Sequence, residues 1–187
     1  MSNRIYNYSA FYVTEPFNQY NLGANASHDF CYYNMLRAWK GKDVRFPFLD
    51  AHGTTYNVRD GSNWEYTLKP RLQERLRNSK NIILFLSKDT CSSRALREEI
   101  SYGMCYLDLP VIVVYPDYTS NVWISDGNNH PSQWAQRLWD NLPVFRDNLS
   151  NHPTCHVPFN KEYITQALND PDFTIQHKKS NFCWCYR

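Results

Sequence analysis

Residues 81–100, NIILFLSKDTCSSRALREEI, decide the fold. Ile82, Ile83, Leu84, Phe85 and Leu86 are apolar without alternation. Such a run fits a strand covered on both faces, as in parallel sheets. Ser87 sits where that strand ends, and Ser92 or Ser93 can cap a helix that follows. Glu99 then falls near the second turn of the helix. A carboxylate beside the carboxyl end of a parallel strand is well placed to act on a ligand.

Outward from this unit, strands and helices keep alternating. Ser9 to Val13 reads as a short strand. A loop with Pro16, Asn18, Asn21 and Gly23 follows. Tyr32, Met35, Leu36 and Trp39 then share one helical face, with Asn25 or Ser27 to cap it and Gly41 to end it. Val44, Phe46 and Phe48 alternate, so VRFPFLD reads as a strand, and Pro47 places it at a sheet edge. After a polar loop, Ser62 and Glu65 have capping-box spacing. Trp64, Leu68, Leu72 and Leu76 recur every four residues, and Pro70 kinks or restarts that helix.

On the carboxyl side, Leu96, Ile100, Gly103, Met104 and Leu107 form the buried stripe of the Glu99 helix. Pro110 leads into VIVVY, a second unbroken apolar strand. Trp134, Leu138 and Leu142 suggest a helix that ends near Pro143. Cys155 to Phe159 reads as a fifth strand and Lys161 to Leu168 as a helix. From about residue 169 the chain reads as a C-terminal extension of a single domain spanning 1–187. The alternation predicts an α/β fold, a flavodoxin-like parallel sheet of about five strands with helices on both faces. A ligand would lie above the carboxyl ends, within a rim formed by Val13, Thr14, Asp50, Ser87 and Tyr115.

Composition narrows the function classes. The 187 residues are 42% hydrophobic and 16% aromatic, enough for one sizeable core. A net charge of +2 gives no argument for nucleic acid. Arg71, Arg75 and Arg77 read as a solvated helix face. The N-terminus has no apolar signal core and no window approaches a membrane span, so a cytosolic protein is expected. Cys31, Cys91 and Cys105 fall in predicted core elements or their caps and read as reduced, buried thiols. Cys183 and Cys185 flank Trp184, too few ligands to argue for a metal.

Residues 87–100 run Ser87, Lys88, three variable positions, Ser92, Ser93, Arg94, Ala95, Leu96, Arg97, Glu98, Glu99, Ile100. This string resembles the TIR domain family, whose plant-type members read S-K-x-x-x-S-S-R-W-C-x-x-E-L. It departs at Ala95, where an aromatic is usual. FLD at 48–50 matches the family's F-I-D. Over most of its length the chain is most similar to TIR proteins of bacterial Thoeris anti-phage defence. The resemblance implies that Glu99 is the glutamate of an NAD+ glycohydrolase or ADP-ribosyl cyclase. Nicotinamide would leave, and a cyclic ADP-ribose-type product would signal to a separate effector as a diffusible nucleotide. It also implies self-association on activation, one subunit completing its neighbour's pocket. In the resting chain the pocket would be open or blocked, with Glu99 incompletely enclosed.

The chemistry is economical in residues. Breaking the nicotinamide–ribose bond builds positive charge on the ribose, while nicotinamide leaves neutral and needs no acid. One carboxylate near the anomeric carbon suffices to stabilise or capture that charge. Glu98 projects about 100° away from Glu99 on a helix, and is expected to face solvent. Ser87, Asp50, Thr14, Phe17 and Tyr115 are the candidate substrate-binding residues: Ser87 for a ribose or amide hydrogen bond, Phe17 for ring stacking. Ser87 serves equally well as a turn serine, and Asp50 as an organiser of its loop. His52 and Tyr56 read as loop residues. No glycine-rich phosphate loop is present, so NAD+ is expected as substrate, with no cofactor and no metal. Two other readings stand beside this one: a non-catalytic TIR module that recruits other proteins, and a nucleoside deoxyribosyltransferase-like enzyme.

Overall fold

The run from 82 to 86 lies at the centre of the molecule. A computed structural model of the chain describes residues 4–12, 28–53, 63–178 and 183–185. Its five strands are β1 (Tyr6–Ala10), β2 (Ser79–Phe85), β3 (Val111–Tyr115), β4 (Thr154–Pro158) and β5 (Cys183–Cys185). All neighbours pair in parallel, in the order β1-β2-β3-β4-β5. Every side chain of β3 is buried, as an unbroken apolar strand requires.

Helices cover both faces. One layer holds α1 (His28–Lys42) and α6 (Lys161–Asn169), with Leu36, Ile164, Ala167 and Leu168 packed on Ile83, Phe85, Ile112 and Val114. The other holds α2 (Lys69–Arg77), α3 (Arg94–Ile100), α4 (Gln133–Leu138) and α5 (Pro143–Arg146). There Leu72, Leu76, Leu96, Ile100 and Phe145 pack on Tyr8, Ile82, Leu84 and Val113. Pro70 sits in the first turn of α2, after a π-helical turn at Trp64–Leu68, so the helix restarts as the proline demands. Asn63, not Ser62, is the cap, its side chain accepting from Tyr66 N–H. Ser62 and the proposed caps Asn25 and Ser27 lie outside the described residues.

Four sequence expectations are corrected. The first strand runs from Tyr6 to Ala10, not Ser9 to Val13. It is covered on both faces, so Asn7 and Ser9 are as buried as Tyr8 and Ala10, and their polarity disguises it. The segment VRFPFLD buries Phe46 and Phe48 but leaves Val44 exposed, and it forms no strand. Lys40 Nζ takes the carbonyls of Val44 and Phe46, each at 2.8 Å, and Pro47 has no N–H to give. Only its end joins the sheet: Asp50 bridges Asn7 in parallel, Asn7 N–H donates to Leu49 O at 2.6 Å, and Ala51 N–H donates to Asn7 O at 3.2 Å. This remnant lies on the outer side of β1, where a flavodoxin-like sheet places its second strand. Cys31, Cys91 and Cys105 are exposed, while Cys155 and Cys185 are the buried thiols; none of the six is in a disulfide. Leu142 and Pro143 also belong to a separate turn: α4 ends at Leu138 and Pro143 opens α5.

Residues 183–185, within the expected extension, are part of the sheet. Cys183–Cys185 pairs with Thr154–His156 as the outermost strand on that side. No helix among the described residues is long and apolar enough to cross a membrane.

Candidate active site

Ser93 begins α3 by accepting Leu96 N–H on its side-chain oxygen at 3.1 Å. With that start, Leu96, Glu99 and Ile100 fall on the buried face. Glu99 is therefore a buried acid, with only 9% of its surface exposed. The expected incomplete enclosure is not observed: the carboxyl group is shut in by its own domain. Past Ile100 the helix widens to a π-helix over Ser101–Tyr106, a form that concentrates at functional sites.

One partner of Glu99 comes from β1. Tyr8 O–H donates to Glu99 Oε1 at 2.8 Å. Oε2 is buried, with no hydrogen-bond partner among the described residues. Burial pushes the Glu99 carboxyl up to about 8, while the Tyr8 hydrogen bond and the Arg75 charge pull it down. A buried, half-satisfied carboxyl group is costly for folding and typical of sites kept for chemistry or binding.

A second cluster adjoins the first. The His52 ring packs against the Tyr8 ring, centroids 4.7 Å apart. Its Nε2 lies 3.1 Å from Ser9 O and its Nδ1 lies 2.9 Å from Arg75 Nη1. A carbonyl accepts and a guanidinium donates, so Nε2 carries the proton and the ring is neutral. Burial first, then the Arg75 charge, depress its protonation to about 3. Tyr33 stacks on Phe11 and meets the His52 ring edge-on. Aromatic rings thus close around the carboxyl end of β1.

The predicted site residues distribute unevenly. Asp50 accepts Tyr33 O–H at 2.6 Å and His52 N–H at 2.9 Å, which fixes the turn at residues 51–52. Ser87 is buried and works within its turn: its N–H donates to Thr90 Oγ1 at 2.9 Å, and its Oγ accepts Asp89 N–H at 3.3 Å. Tyr115 is not on an open rim. It is fully buried, and its hydroxyl accepts from Trp139 Nε1 at 2.9 Å and shares a hydrogen bond of 2.7 Å with His156 Nδ1. A side chain on a strand buried on both faces points into a layer, not out of the strand end. Glu98 does not simply face solvent: Gln73 donates to it at 2.7 Å and Lys69 pairs with it at 3.5 Å, both across α2. Val13, Thr14, Phe17 and Tyr56 lie outside the described residues.

Tyr8, His52 and Arg75 are the members that sequence reasoning missed or discounted. Tyr8 was hidden by the misplaced strand. Arg75 neighbours Leu72 and Leu76 on α2 and was readable as a flank of that buried stripe, not as part of a solvated face. His52 follows Asp50 by two residues, too far into a polar loop for any periodicity to mark it.

More than half of this chain matches a known family. Residues 8–121 match the family described as Thoeris protein ThsB, TIR-like domain. The match begins at Tyr8, includes Glu99, and covers well over half of the 187 residues. This match, over a parallel α/β sheet, places the chain in the family of the TIR-like domain of Thoeris protein ThsB.

Proposed function

We propose that this chain cleaves the bond between nicotinamide and ribose in NAD+, with Glu99 as the carboxylate that meets the ribose. The observation that carries the reading is Glu99 itself: buried, held at Oε1 by Tyr8, with Oε2 free of any partner among the described residues. As the glycosidic bond breaks, its electron pair leaves with nicotinamide and the ribose carbon becomes cationic. An ionised Glu99 stabilises that cation or bonds to it. Attack by water then gives ADP-ribose and a proton. Attack by an atom of the same ADP-ribose gives a cyclic ADP-ribose-type product, again with loss of a proton. The cyclic product suits a Thoeris-type protein, because a diffusible nucleotide can activate a separate effector without contact.

The resting site is closed and its acid is largely neutral, which supports a requirement for activation. Self-association that opens the carboxyl group to substrate would supply it. NAD+ carries a cationic nicotinamide ring, and its arrival would favour the ionised carboxylate.

The test is nicotinamide release from NAD+ over a range of protein concentrations, with chromatography of the nucleotide product. Glu99→Gln is expected to lose on the order of 10²-fold or more in turnover. Glu98→Gln, altered only on the α2 side, is expected to stay close to the parent. Absence of release at every concentration would favour the non-catalytic module. Cleavage of nucleosides in preference to NAD+ would favour a deoxyribosyltransferase-like enzyme.

A further inference from the structure

We propose that Tyr8 is the positioning residue of the Glu99 carboxyl group, holding Oε1 so that Oε2 alone is presented to the ribose. The proposal rests on the reading of Glu99 as the NAD+-cleaving carboxylate and assigns the group that makes it competent.

The geometry is specific. Tyr8 is 1% exposed, and its hydroxyl reaches Oε1 at 2.8 Å from a different element, 91 residues away in sequence. Its strand position is fixed on both sides. Tyr8 pairs with Ile82 of β2, and the preceding residue, Asn7, bridges Asp50 on the other edge. The ring is backed by His52. The phenol therefore cannot follow Glu99 if the acid moves; the acid is held where β1 puts it. With Oε1 taken, the lone pairs of Oε2 are the ones left for a substrate.

A phenol can only donate to an ionised carboxylate, so the contact also favours the charged form that catalysis needs. Burial acts the other way and raises the carboxyl. The phenol's own ionisation is pushed well above its ordinary value, by burial first and then by Glu99, so it remains a donor. The surrounding charges are few. Arg75 approaches from α2 and favours the carboxylate. His52 is neutral. On α3 itself Glu98 is engaged by Lys69 and Gln73, and Arg97 is exposed. From α5, Arg146 is paired with Asp140 and Asp147 at the surface. Tyr8 is the one direct hydrogen-bond donor to Glu99 among the described residues. A tyrosine kept only for packing would need no such contact.

The experiment is a pH titration by NMR of protein carrying 13C at glutamate Cδ and tyrosine Cζ, with Glu99→Gln to assign the Glu99 signal. In Tyr8→Phe the Glu99 midpoint is expected to rise by about one pH unit. In the parent protein the Tyr8 Cζ signal is expected to move with the Glu99 midpoint, a readout that holds even if Tyr8→Phe does not fold. A Glu99 midpoint unchanged or lowered by Tyr8→Phe, or a Tyr8 signal flat through the Glu99 titration, would overturn the proposal. The parallel measurement is nicotinamide release against pH. The rising limb of kcat is expected to shift to higher pH in Tyr8→Phe, and its alkaline plateau to stay below that of the parent because the ionised carboxylate is no longer held at Oε1. A plateau equal to the parent's would overturn the positioning role. Parent protein that shows the NMR coupling but releases no nicotinamide would overturn the NAD+ reading alone.

Discussion

Arg75 donates to Nδ1 of His52 over 2.9 Å and so fixes which ring nitrogen carries the proton. The contact fastens α2 to the loop beside β1, two elements that meet over the candidate site. Because Nε2 also donates to Ser9 O, the neutral ring is satisfied at both ends. A protonated ring would have to give up the Arg75 contact and face its charge.

This has a pH consequence. In the folded chain His52 stays neutral down to about 3, against an ordinary value of 6.5. His156, buried behind Tyr115, is likewise depressed to about 3. The unfolded chain takes up both protons below 6.5 and the folded chain does not. Their contribution to stability is thus complete above pH 6.5 and is lost as the pH falls towards 3. The melting temperature is expected to drop through this window. His52→Gln should remove part of the drop and leave the His156 part. Parallel melting curves for parent and variant across pH 4–7 would refute the neutral, doubly bonded ring.

Asn7 supplies a second prediction. Its side chain donates to Asn81 Oδ1 at 2.7 Å and accepts Leu49 N–H at 2.9 Å, tying β1 to β2 on one side and to the segment before Asp50 on the other. Asn7→Ala leaves a buried acceptor and a backbone donor without that partner. A cost of about 2–4 kcal/mol in unfolding free energy is expected. Denaturant unfolding measures it. A cost below about 0.5 kcal/mol would show that the clamp contributes nothing.

A third concerns Gly103. A Cβ there would lie 2.6 Å from Ile82 Cδ1 and 2.9 Å from Leu76 Cδ2, both on fully buried residues. The methyl tips would have to turn into a filled core, at about 1–3 kcal/mol. Gly103→Ala is expected to lower the unfolding midpoint in denaturant without changing its slope. A variant as stable as the parent would mean that the core has slack beside β2.

How much of this was legible follows from where each signal came from. The strands at 79–85 and 111–115 and the helix that carries Glu99 were readable because they are buried on broad apolar surfaces. The first strand was not, since its centre holds Asn7 and Ser9, buried polar residues, and the partners of the Asn7 side chain come from elements distant in sequence. The edge segment at 44–50 has the alternation of a strand, yet Lys40 captures its carbonyls from a helix several residues away. Such a contact leaves no periodicity to read. The site behaved the same way. Glu99 was marked by its motif and its helix face. Its partner Tyr8 is 91 residues distant, and only the folded sheet brings the two together.

The last prediction tests whether Glu99 is maintained at the expense of the fold. Burial holds its carboxyl up to about 8, against an ordinary value of 4.5. Below 4.5 the group is protonated in both folded and unfolded chains and makes no difference. As the pH rises from there, the unfolded chain ionises first and is favoured. The penalty grows until the folded group also ionises near 8, and is constant above it. At roughly 1.4 kcal/mol per unit, burial of Glu99 would cost on the order of 3 kcal/mol at neutral pH. Glu99→Gln removes this titration while preserving shape and the contact with Tyr8. The variant is therefore expected to gain stability relative to the parent as pH rises from 5 to 8.5, while losing NAD+ cleavage. Thermal unfolding of both proteins across that range measures the gain. A difference between them that does not change with pH would mean that Glu99 is already ionised in the resting fold, and that the closed, neutral acid is not its ground state.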